Sequence, residues 1–198
     1  RWSWSDATGS LGPTSPLSFG LGGNGASSCC DSAMVLHPDG VWLYVVHNDS
    51  NLVEVLELAG DGTPTSIGLW SVGDAPSDAA FDPASGTLYV ISNDGIEAFS
   101  ADPFTGDLTE LSNSPYAIAA SSGLRDVVVS PVDNVLFAVS FNGSLEAFTI
   151  LASGGLLPID ATGNPLASRV MEMVVTPAGD ELFLRDLDQG ILYVQWDE

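Results

Sequence analysis

Repeats of one all-β unit, set side by side as the blades of a propeller, are the fold that this sequence predicts. Three observations carry the expectation. Four segments superpose on one another: "AMVLHPDGVWLYVV" from Ala33, "DAAFDPASGTLYVI" from Asp78, "DVVVSPVDNVLFAV" from Asp126 and "EMVVTPAGDELFLR" from Glu172. Their prolines fall at 38, 83, 131 and 177, so the spacings are 45, 48 and 46 residues. A period near 46 is the length of one propeller blade. Finally, the apolar positions are held by β-branched and aromatic residues, and no helix-length run with a helical period competes with them.

Each unit has the same internal order. An apolar run of about four residues comes first and reads as a strand. A turn follows, in the forms "HPDG", "DPASG", "SPVDN" and "TPAGD". Pro presets one backbone angle there, Gly accepts the left-handed region, and Asp or Asn bonds its own backbone. The second strand carries a Leu-aromatic pair: "WLYVV", "TLYVI", "VLFAV", "ELFLR". A second polar turn ("HNDSN", "SNDG", "FNGS", "DLDQG") leads to a third strand: "LVEVLEL", "IEAFSA", "LEAFTI", "ILYVQW". Looser segments ("TPTSIGLWS", "LTELSNS", "LLPIDAT") supply the fourth. Four antiparallel strands per unit without helices is propeller logic.

The ends are out of phase with the units. The opening "RWSWSDATGSLGPTSPLSF" matches a third and fourth strand, and the closing "ILYVQWDE" stops inside a third. Seventeen strands result. One propeller domain or section is therefore expected over 1–198, of about four blades. Its units are 1–30 (partial), 31–74, 75–122, 123–168 and 169–198 (partial). The count does not close as a four-bladed ring. Completion by another chain, by self-association or by further blades is expected, because a lone arc exposes sheet edges and an apolar flank.

Composition narrows the function. The chain has 198 residues, 26 acids against 4 arginines, no lysine and a formal charge of −22. Such a surface repels nucleic acid and anionic membranes. No apolar run approaches the roughly 20 residues that span a bilayer, so no membrane insertion is expected. The chain opens at Arg1 with no visible signal peptide, which suggests a processed or truncated chain. The acidity suits a saline, secreted or other extracytoplasmic setting. Cys29 and Cys30 are adjacent, so they lack metal-site spacing; a vicinal disulfide, pairing with another chain and free thiols all stay open. N-x-S sequons occur at Asn48 and Asn142, both in predicted turns. There is no G-x-S-x-G, and "GLGGNG" at 20–25 has no helix after it to cradle a phosphate.

The units "HPDGVWLYVVHNDSNLVEVLEL" and "DPASGTLYVISNDGIEAFSADPFTGDLTEL" resemble the seven-bladed lactonase propellers. These are the 6-phosphogluconolactonase-like family, related to the YVTN-repeat propellers. The resemblance covers nearly the whole chain. It implies a propeller fold and, for catalytic members, a Gly-Pro-Arg-His strand head whose Arg and His face the central channel. The four heads here are Asp31-Ser32-Ala33, Pro76-Ser77-Asp78, Leu124-Arg125-Asp126 and Val170-Met171-Glu172. Only the third keeps the arginine, and none has the Arg-His pair.

The heads share a feature of their own. Asp78, Asp126 and Glu172 occupy one equivalent position, where the first unit has Ala33. First strands line a propeller axis, so these carboxylates are expected to face the channel. Two readings stay open. They form a site for Ca²⁺ or another divalent cation, or each bonds nearby backbone. Arg125 is expected as a counter-charge to Asp126, and both Arg125 and His47 are candidate catalytic groups; His47 ends a second strand near the channel mouth and has general-base chemistry. His37 lies in a first turn and is expected to be solvated. With no Arg-His pair, the leading expectation is an extracytoplasmic binding or scaffolding module within a larger assembly. The alternative is a sugar-lactone hydrolase, metal-assisted through the three carboxylates.

Overall fold

The computed structural model describes residues 2–5, 10–13, 33–118, 123–159 and 169–195. Cys29, Cys30, the 20–25 glycines and Asp31-Ser32 lie outside these residues. The described residues hold seventeen strands in five antiparallel sheets. Strands β1 (Trp2–Ser5) and β2 (Ser10–Pro13) form a hairpin. The first full sheet is β3 (Met34–Leu36), β4 (Trp42–His47), β5 (Leu52–Leu58) and β6 (Pro64–Ser71). The second is β7 (Asp78–Asp82), β8 (Thr87–Ser92), β9 (Gly95–Ala101) and β10 (Leu108–Glu110). The third is β11 (Leu124–Val129), β12 (Val135–Ser140), β13 (Leu145–Ile150) and β14 (Leu156–Ile159). The last has three strands, β15 (Val170–Val175), β16 (Glu181–Asp186) and β17 (Gly190–Gln195). Each sheet is a simple up-and-down meander. First strands of successive sheets touch, β3 to β7, β7 to β11 and β11 to β15. That is the arrangement of propeller blades around an axis.

The turns form for the reasons their residues suggest. Asp39 accepts the Val41 N–H at 2.8 Å. Asp82 accepts the N–H groups of Ala84 and Ser85 and the Ser85 hydroxyl. Gly40, Gly86 and Gly179 take positive φ in the same turns. These local bonds reverse the chain without tertiary help. His37 departs from its solvated expectation. Its ring sits edge-on against Phe81 of the next sheet, with centroids 4.6 Å apart, and its Nδ1 is 2.8 Å from Asp39 Oδ1.

The core is divided between sheets. One cluster joins Tyr44, Val46 and Val53 to Leu88, Val90 and Phe99. A second joins Tyr89, Ile91 and Ala98 to Val127, Leu136 and Phe148. A third joins Phe137 and Val139 to Met173, Leu182 and Leu184. Strand β8 is buried along all six residues because a sheet covers each of its faces. Apolar runs without alternation are what such doubly covered strands require.

Candidate functional site

Register alignment proves the strand heads equivalent in space. Asp78 opposes Ile91, Asp126 opposes Val139 and Glu172 opposes Arg185, each at the same step of its sheet. The carboxylates do not meet as a trio. Asp78 Oδ2 accepts the backbone N–H of Val127, in the next sheet, at 3.0 Å. Asp126 Oδ2 likewise accepts the N–H of Met173 in the sheet after that. Each acid thus links its own first strand to the next one. Glu172 is exposed and meets Arg185 instead, Nε to Oε2 at 3.2 Å.

Asp78 is close enough to perturb Asp126. Burial pushes the Asp126 carboxyl up to about 8, and the hydrogen bond and negative charge of Asp78 add to the rise. A carboxyl crowded by a second one resists ionising, because two adjacent negative charges are costly. The three carboxylates point to different partners: Glu172 is turned to Arg185, and Asp78 and Asp126 are bonded to backbone. No group of three metal-ligating side chains occurs among the described residues.

Arg125 occupies a β-bulge, where the β11–β12 register slips between Leu124 and Asp126. A bulge re-aims a side chain out of the ladder. Here it carries the guanidinium over the Phe141 ring, 5.5 Å from its centroid. Met171 sits in the equivalent bulge of the last sheet. Arg125 and Phe141 line a cavity of about 330 Å³ together with Asn48, Ala75, Ser77, Asn93, Gly123 and Leu124. Every one of these residues comes from a strand head or from the turn after a second strand. The cavity therefore opens at the end of the sheets where first strands begin. Its wall is fixed by bonds between sheets: Asn48 Nδ2 to the Pro76 carbonyl at 2.8 Å, Ser77 Oγ to the Leu124 carbonyl at 2.8 Å, and Ala75 N–H to Asn51 Oδ1 at 3.0 Å. One guanidinium, two carboxamides, a hydroxyl and an aromatic ring suit a polyhydroxylated ligand with a carbonyl or carboxylate.

His47 does not line this cavity. It is buried in the first sheet with Nε2 3.1 Å from Glu54 Oε2, itself fully buried. That pair is built into the sheet, out of reach of a substrate, so His47 is not a general base of the cavity.

Sequence reasoning missed a second row of acids. Glu54, Glu97 and Glu146 occupy one register position in the third strands, opposite Val45, Val90 and Ala138. Leu192 stands there in the last sheet, opposite Leu184. Glu97 accepts the Gly73 N–H at 2.7 Å, and burial raises its pKa. The signal was present in "LVEVL", "IEAF" and "LEAF", where a glutamate recurs inside an apolar strand.

The sequence family described as lactonase, 7-bladed beta-propeller, matches residues 2–129. The chain belongs to that family. Solved structures of similar fold include a candidate 6-phosphogluconolactonase from Bacteroides uniformis. It has 20% identity and a TM-score of 0.79, and the match covers 100% of this chain and 60% of that one. A second, from Bacteroides fragilis, has 19% identity and a TM-score of 0.69 over 83% of this chain and 50% of that one. The periplasmic gluconolactonase of Pseudomonas aeruginosa has 17% identity and a TM-score of 0.69 over 83% and 49%. At these identities the structural likeness shows the fold alone. The lactonase-type chain spans 60% or less of the length of these three neighbours. No curated protein matches it.

Proposed function

We propose that this chain is a section of a lactonase-type propeller that acts on sugar lactones, with the Arg125 cavity as the ligand-binding site. The cavity carries the reading, because it places one guanidinium among carboxamides and a hydroxyl at the strand-head end of the sheets. A lactone carbonyl gains negative charge as water adds to it. A positioned guanidinium stabilises that charge, and such a donor contributes on the order of 100-fold in rate. Hydroxyl groups of the sugar match Asn48, Ser77 and Asn93. An extracytoplasmic setting is part of the same proposal, supported by the −22 charge and by the likeness to a periplasmic gluconolactonase.

Proton release from δ-gluconolactone tests the reading. Hydrolysis above the buffer rate is expected, falling on the order of 100-fold for Arg125→Ala. A rate equal to buffer, or one indifferent to Arg125→Ala, would remove it. Binding without turnover is a second reading. It is favoured by the absence of an Arg-His pair among the four heads and by the burial of His47. Gluconate binding that needs Arg125, with no lactone opening, would select it.

A further inference from the structure

We propose that Phe141 is a positioning residue for the reaction assigned to the Arg125 cavity, its ring fixing where the guanidinium stands. The inference rests on the lactone reading of that cavity and adds a residue to it.

Phe141 is not part of the core. It is 38% exposed and belongs to none of the three apolar clusters. Its place in the repeat shows what it is matched to. Asn93, Phe141 and Leu187 each stand two residues beyond the strand partner of a head acid, namely Ile91, Val139 and Arg185. Ser77, Arg125 and Met171 each stand just before that acid. The two positions change together from sheet to sheet: serine with asparagine, arginine with phenylalanine, methionine with leucine. Hydroxyl goes with carboxamide, one apolar chain with another, and the cation with a π face.

The turn that carries Phe141 is held by its own backbone. The Ser140 N–H donates to the Ser144 carbonyl at 3.0 Å, the Gly143 N–H to the Ser140 carbonyl at 2.9 Å, and the Phe141 N–H to the Gly123 carbonyl at 2.8 Å. The ring therefore projects from a fixed backbone. Arg125 projects from a bulge, where its side chain leaves the ladder. A long arginine chain has many rotamers to lose. The ring narrows them, because the guanidinium lies 5.5 Å from the Phe141 centroid, within the roughly 6 Å reach of a cation–π contact. A ring face holds a guanidinium by its flat side and leaves the N–H edge to polar partners. That edge is what stabilises charge on a lactone carbonyl.

Two measurements decide the role. The first is kcat and KM for δ-gluconolactone in Phe141→Leu, Phe141→Tyr, Arg125→Ala and the double variant of Arg125→Ala with Phe141→Leu. Loss of aim should lower kcat on the order of 10-fold in Phe141→Leu, with KM changed less. Phe141→Tyr, which keeps the ring, should recover most of it. In the Arg125→Ala chain, Phe141→Leu should cost nothing further, because it acts through the guanidinium. A wild-type kcat in Phe141→Leu, or a loss that persists in full beside Arg125→Ala, overturns the proposal. The second measurement does not need turnover. Phenylglyoxal modifies arginines, and peptide mass mapping reads the rate at each one. Arg125 should react roughly threefold faster in Phe141→Leu, the worth of a lost cation–π contact, and near its original rate in Phe141→Tyr. Arg169 and Arg185 should keep their rates in both variants. An unchanged Arg125 rate in Phe141→Leu overturns the positioning role. If no chain opens the lactone, wild type included, the lactone reading falls, and the labelling alone decides whether Phe141 holds Arg125.

Discussion

Asp126 ties the head of the third sheet to the fourth through the Met173 N–H, and it does so as a carboxyl lifted to about 8 by burial and by Asp78. The sign of the pH effect follows. In the unfolded chain an aspartate loses its proton near pH 4. In the folded chain Asp126 keeps it to about 8. Between those values the folded state binds more protons, so stability is greatest at the acidic end and falls as pH rises through 8. The melting temperature should therefore drop from pH 5 to pH 9. Asp126→Asn keeps an acceptor for Met173 and a donor for Asp78, and should flatten that slope. An identical slope in the variant would refute the raised Asp126 carboxyl as its source. A different cost is expected at His47. Removing it with His47→Ala leaves buried Glu54 without its imidazole partner and should destabilise the chain by roughly 3 kcal/mol, measured by urea unfolding.

Turns and strands show which interactions the sequence displayed and which it hid. The first-turn bonds of Asp39 and Asp82 join residues two or three apart, so "HPDG" and "DPASG" announce them. The Leu-aromatic second strands are equally plain, because doubly covered strands need continuous apolar residues. The carboxylate links were not legible as links. Asp78 and Val127 are 49 residues apart, and their meeting depends on how one sheet is set against the next. The bulge at Arg125 was also hidden, since "LRDVVV" carries no Gly or Pro to mark it. His47 was misplaced for a related reason: its position at a strand end was readable, but the side of the sheet on which Glu54 waits was not. The turn between β13 and β14 offers an element-scale test. Gly154 has φ +79, and an added Cβ would lie 2.0 Å from Thr87 Oγ1 in the neighbouring sheet. Gly62 has φ +80 with nothing within 4 Å. Gly62→Ala should cost about 1 kcal/mol from backbone strain alone. Gly154→Ala should cost clearly more, because it also separates the turn from β8 and disturbs the Tyr89 hydroxyl bond to the Gly154 carbonyl. Equal costs in denaturant melts would show that the contact contributes nothing.

At the scale of the whole molecule, acidity and repetition act against each other. Twenty-six acids, offset by only four arginines, repel one another within a small volume. Salt screens that repulsion, so the melting temperature should rise between low and molar NaCl; a flat response would mean the charge is already neutralised locally. Repetition supplies the counterweight, since each sheet covers the next and the first strands are bonded in series. It also brings residues far apart in sequence to one cavity: Asn48, Asn93 and Phe141 come from the second turns of three sheets, and Ser77 and Arg125 from the heads of two. The central claim is that this cavity is where the lactonase-type chain holds its ligand. Hydrogen–deuterium exchange with and without gluconate tests it most directly. The account predicts slower exchange confined to amides of the cavity wall, at 48, 75, 77, 93–94, 123–126 and 141–143, lost in Arg125→Ala. Protection elsewhere in the chain, or protection at these amides that survives Arg125→Ala, would contradict it.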